Sequence, residues 1–177
     1  MSAGWGAELT VVDHPDWRAE RVADDATSGL VGVLVARDAG RGRVSACGWL
    51  VDVYCLGVKN GLGPTVMYES SLPAFVHDFF LPIGVRPVAV PLELAQHLVL
   101  GAVEYARSLG FEPAEEAEFG ATRDHLGPWE GPSAIGFGRQ GKPLFIAGPH
   151  DDATRVVMQL KRSVGAGNFD YIIGIPG

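Results

Sequence analysis

Asp52, Cys55 and His97 are the residues of this chain whose types invite a chemical reading. The first two lie three apart in GWLVDVYCLGVKN, residues 48–60, and the third lies inside PLELAQHLVLGAVEYARSLG, residues 91–110. A cysteine attacks as its thiolate, and an imidazole within hydrogen-bond reach generates the thiolate by taking the proton. Cys55 as nucleophile and His97 as base, acting on an acyl or peptide-like group, is therefore the enzymatic reading. Asp52 as the group orienting the imidazole meets an obstacle. Side chains alternate along a strand, so Asp52 and Cys55 point to opposite faces unless a bulge near Gly57 intervenes. Asp52 also shares its face with Leu50, Tyr54 and Leu56, where an unpaired carboxylate is costly or holds its proton. A third reading makes Asp52 an acid–base group with Lys59 or His97.

Lys59 and Asn60 follow within GVKNGLGPT, residues 57–65, three glycines and a proline that read as a loop. Backbone N–H groups and a lysine in such a loop suit an anion, but the spacing is not that of a phosphate-binding loop. Tyr105, with Trp49, Tyr54 and Trp129, either lines a pocket or fills the core. His150, Asp151 and Asp152 have the right types for a divalent metal. Adjacent residues on a helix point about 100° apart, however, and acids suit a helix start, so no metal or cofactor is assigned.

Positioning these groups requires a fold. Residues 7–13 read as a short strand; 16–25 are a helix or a surface loop. Residues 29–37, apolar on both faces, and 43–57 read as a hairpin turning at the glycines and arginines of 38–43. Residues 70–80 have helical spacing with serine at the start and Pro73 in the first turn. Residues 82–91 read as extended. The clearest helix opens at Pro91 and stops at Gly110, with Leu94, Leu98, Gly101, Ala102, Tyr105 and Leu109 on its buried stripe and the sheet expected against Gly101. The stretch 113–124 is a helix broken at Gly120 or no helix. A second hairpin is expected at 134–138 and 143–147. A helix follows with Ala153, Val156, Val157, Leu160 and Val164 inward, and the last strand spans 169–175. The expectation is one α+β domain: a mostly antiparallel sheet of about six strands, two hairpins among them, with helices packed on it. The closing strand–helix–strand unit allows one parallel pairing.

Composition sets the outer limits. The 177 residues carry 21 acids and 14 bases, a formal charge of −7, which speaks against a nucleic-acid backbone as partner. No apolar run reaches the length of a membrane span, and the first residues lack the basic-then-apolar pattern of a secretory signal. Two cysteines, Cys47 and Cys55, lie too far apart on one strand to bridge, which fits a reducing cytoplasm.

The segments DVYCLGVKN (52–60), HLVLGAVEYARSLGFEP (97–113) and FGRQGKPLFIAGPHDD (137–152) resemble an uncharacterised family of bacterial proteins. Some of its members carry small zinc-binding tails, which two cysteines cannot form. The resemblance places Cys55, His97 and Lys142 in signature-like segments and implies no activity. The resulting expectation is a soluble, cytoplasmic binding or accessory domain for a small molecule or a protein partner, its alternative being the Cys55–His97 enzyme.

Overall fold

The computed structural model describes residues 29–84, 86–113 and 118–174, and the backbone of residues 8–12. The stretch 16–25 therefore lies outside the described residues, as do most of the acids of 113–118 and the end of the last expected strand. Glu8–Val12 (β1), Leu30–Gly40 (β2) and Arg43–Asp52 (β3) precede Gly57–Tyr68 (β4), and Leu72–Phe80 (α1) follows. Val88–Val90 (β5), Leu92–Ser108 (α2), Phe119–Thr122 (α3), Leu144–Ile146 (β6), Ala153–Ser163 (α4) and Asp170–Ile172 (β7) complete the order.

The α+β expectation stands, but the strands are not one sheet. Five form an antiparallel sheet in the order β4-β3-β2-β1-β5, and β6 and β7 form a separate parallel pair. The first expected hairpin is β2–β3, with Arg41 and Gly42 at its tip. The second does not form: residues 139 and 142 make a single bridge, and β6 pairs instead with β7 across α4. Among the described residues no helix is long and apolar enough to cross a membrane.

Alternation along β2 and β3 divides the core in two. Val31, Val33, Val35, Cys47, Trp49 and Val51 face α2, whose Ala95, Leu98, Val99 and Ala102 are fully buried. Leu34, Ala36, Val44 and Ala46 face α1 on the opposite side. Glycine lets α1 lie close: a Cβ on Gly48 would come 2.5 Å from a ring carbon of Phe79, and one on Gly32 would come 2.5 Å from Ile83. Neither Ser70 nor Ser71 caps α1 through its side chain; a 3-10 turn, Glu69–Ser71, leads into it. Pro91 sits one residue before α2 in an extended conformation rather than in its first turn. Gly101 meets Ser133 and Phe137 instead of the sheet; the sheet reaches α2 one residue on, where a Cβ on Gly57 would come 2.9 Å from the carbonyl of Ala102.

The expected strand 43–57 is cut at Asp52, and the expected loop 57–65 is β4, the outer strand of the sheet. Glycine and proline are tolerated there because an outer strand leaves one row of backbone groups unpaired. Its register on β3 slips twice, between Ala46 and Gly48 and between Leu50 and Val51.

Trp49, fully buried, donates its indole N–H to the hydroxyl of the equally buried Thr122 at 2.8 Å. Replacing Thr122 by valine keeps the shape and orphans that donor, so Thr122→Val should lower unfolding free energy by about 1–3 kcal/mol while Thr122→Ser costs less. Urea denaturation followed by Trp fluorescence checks the difference.

Candidate functional site

The four residues Val53, Tyr54, Cys55 and Leu56 form the turn between β3 and β4. The carboxylate of Asp52 closes it. One oxygen accepts from the backbone N–H groups of Tyr54 at 2.9 Å and Cys55 at 3.1 Å, and the other from Leu56 at 3.0 Å. Asp52 therefore does not project from a strand face away from Cys55, as alternation required; it folds over its own turn. Burial pushes its carboxyl up to about 6, against the pull of the N–H of Leu56, that of Tyr54, the Lys59 charge and the N–H of Cys55.

Three of the other expected residues gather around this turn. Lys59, on β4, places its ammonium 2.7 Å from Asp151, and the same carboxylate oxygen accepts the N–H of Gly148 at 2.8 Å. Cys55 is fully buried among Leu109, Phe145, Val156, Leu160 and Phe169. Burial pushes its thiol far up, and the charges of Asp52 and Asp151 push it further, with Lys59 opposing. Tyr105 stacks on Phe137 at 5.6 Å, and its hydroxyl is buried without a hydrogen-bond partner. Burial raises that phenol too, followed by Cys55 and Asp52. Asp151 is the member sequence reasoning misplaced. It lies 92 residues from Lys59, and no local pattern announces the pairing.

His97 and Asn60 lie outside this group. His97 accepts the N–H of Ala134 on Nδ1 at 2.9 Å, holds Nε2 3.8 Å from Glu93, and sets its ring against Trp129. Its lone pair is thus spent on the loop at 134, and Tyr105, two turns further along α2, occupies the place near Cys55. Asn60 accepts the N–H of Gly61 and is exposed on the outer strand. The turn's backbone is equally committed: Val53 donates to Gly29 and accepts from Gly138, and Tyr54 accepts from Leu144. His150, Asp151 and Asp152 do not converge, since Asp151 binds Lys59 and Asp152 caps α4 through the N–H of Arg155. No group of three potential metal ligands forms among the described residues.

An open concavity lies elsewhere, over α1. A groove of about 530 Å³ is lined by Pro73, Val76, His77, Phe80 and Leu81 of the helix and its extension, and by Gly84, Arg86 and Pro87. The helical residues recur at 73, 76, 77, 80 and 81, the period of one helix face. Val76 and Phe80 also pack on the core with Leu72, Phe75 and Phe79, and the signal available in the sequence was the width of that apolar face: α1 is apolar over more of its circumference than one buried face needs.

Compared with protein-family models, curated proteins and solved structures, the chain matches none.

Two measurements follow from the buried cluster. The folded Asp52 carboxyl holds its proton more tightly than the unfolded one, whose ordinary value is 3.8. Its contribution to stability is thus fully present below about pH 4 and is lost as pH rises through about 6. Asp52→Asn should flatten that part of the stability–pH curve in chemical denaturation. Asp52→Ala, which leaves the N–H groups of Tyr54, Cys55 and Leu56 without that acceptor, should cost about 2–4 kcal/mol below about pH 4 and less as pH rises through about 6. In the second measurement, iodoacetamide at pH 7 should modify Cys55 about 100-fold more slowly in the folded chain than after denaturation. Mass spectrometry resolves it from Cys47, itself pushed up to about 12 by burial.

Proposed function

We propose that the protein is a non-catalytic binding domain, and that the groove over α1 holds a short apolar segment of a protein partner flanked by carboxylates. The observation that carries this reading is the outer edge of α1, where exposed Pro73 and Leu81 and half-buried Val76 sit over the buried Phe80 beside two nitrogen-bearing side chains, His77 and Arg86. Leu81 is 64% exposed. Neither His77 nor Arg86 has an acidic partner among the described residues. An apolar floor binds without direction, and charged groups at its rim select and orient what enters.

The enzymatic alternative draws less support. A nucleophile must be reached and ionised, and the thiol of Cys55 is enclosed in apolar side chains with two carboxylates near it. The imidazole expected to activate it is engaged by Ala134.

A fluorescein-labelled dodecapeptide repeating Leu-Glu-Glu-Leu tests the binding reading by anisotropy. Saturable binding with a dissociation constant of about 10–100 µM is expected, weakened about tenfold or more by Val76→Asp and by Arg86→Glu. A peptide with lysine in place of glutamate should bind more weakly. Affinity untouched by either substitution, or no saturation by millimolar peptide, would remove the groove from consideration.

A further inference from the structure

Helix α4 presents two stripes. Val156 and Leu160 are buried, with Ala153, Val157 and Val164 beside them. Arg155, Met158, Gln159 and Arg162, at relative positions 0, 3, 4 and 7, share another face and line a groove of about 370 Å³. Gly110 and Phe111, just past the end of α2, form its opposite wall, and Asp152 and Thr154 stand at its end. The floor is held in place: Gln159 donates to the carbonyl of Leu109 at 3.1 Å, and Gly110 has φ +89°. A Cβ on Gly110 would lie 2.1 Å from the Gln159 amide nitrogen, so only glycine permits this approach.

The electrostatics of the groove run against those of the whole chain. Formal charge is −7 overall, yet Arg155 and Arg162 have no hydrogen-bonded or ionic side-chain partner among the described residues. The one carboxylate lining the groove, Asp152, is exposed and accepts the N–H of Arg155 at 3.0 Å as the N-cap of α4. Glu112, close in sequence to Phe111, is paired with Arg107 at 2.8 Å. Met158, 49% exposed, lies between the two arginines along the helix.

We propose that this groove is a second recognition site, for an extended acidic peptide segment whose two carboxylates flank apolar residues. Seven residues of helix separate the guanidinium groups by about 10 Å along the axis, and carboxylates three residues apart on an extended chain of the polyproline II type, with three residues per turn, share one face and lie about 9 Å apart. Each guanidinium takes a carboxylate through paired N–H donors, and the apolar pair between them covers Met158 and Phe111. A compact anion reaches one arginine and leaves the other and the apolar surface uncovered. The site is on a different helix from the α1 groove and stands whether or not that groove binds.

The test uses the full chain and a fluorescein-labelled peptide, acetyl-Gly-Glu-Leu-Leu-Glu-Gly-amide, at low salt. Saturable binding is expected, weakened about tenfold by Arg155→Glu and likewise by Arg162→Glu, both exposed positions whose circular dichroism should be unchanged. The double variant should regain affinity for the peptide with lysine in place of glutamate. Tripolyphosphate should displace the acidic peptide only at large excess. The proposal is overturned by absence of saturation, by binding that survives both substitutions, or by displacement with equimolar tripolyphosphate, which would mark a plain anion site. Loss of binding in Arg86→Glu with none in Arg155→Glu would also overturn it, by assigning the peptide to the groove over α1.

Discussion

The carboxylate of Asp52, accepting three successive backbone N–H groups, is the contact on which the rest of the structure turns. It ends β3, reverses the chain in four residues and aims β4 back along the sheet. The reversed backbone then receives the C-terminal half: Gly138 and Leu144 donate to the carbonyls of Val53 and Tyr54. Cys55, at the tip of the turn, is the apolar peg around which Leu109, Phe145, Val156, Leu160 and Phe169 close. Lys59 ties the following strand to Asp151 ahead of α4. A charged group is retained at this buried place because no neutral side chain of the same reach accepts three donors.

That arrangement engages the residues most suggestive of catalysis in contacts of their own. Each has its chemistry committed: Asp52 to three N–H groups, Lys59 to Asp151, His97 to Ala134, and Cys55 to an apolar shell that disfavours its thiolate. Reactive groups in a working site converge on space that a substrate can enter. Among the described residues, two open grooves are lined instead by side chains of α1 and α4.

Both helices share a design feature. Each buries one stripe against a sheet or a neighbouring helix and turns another toward open space, with cationic or histidine side chains near exposed apolar ones. In an acidic chain, arginines without a partner among the described residues, beside exposed leucine or methionine, are the places where local potential departs from the net charge. Such places favour acidic partners at short range even when long-range repulsion opposes their approach.

Local sequence determined the fold class, the β2–β3 hairpin, and α2 and α4, because alternation and helical periodicity depend on near neighbours alone. It also singled out Asp52, Cys55, Lys59 and Tyr105, which meet at one end of the sheet. What the sequence alone did not decide was how they meet. Strand alternation put Asp52 and Cys55 on opposite faces, whereas three hydrogen bonds to the carboxylate make a turn there and override the strand propensity of Val53 and Tyr54. A glycine-rich run read as a loop became the outer strand, since pairing with β3 supplies bonds no local rule foresees. The partners Asp151 and Ala134 were decided only by tertiary structure: they lie 92 residues from Lys59 and 37 from His97. Contacts between distant residues depend on how whole elements pack, and the residue types alone do not encode that distance.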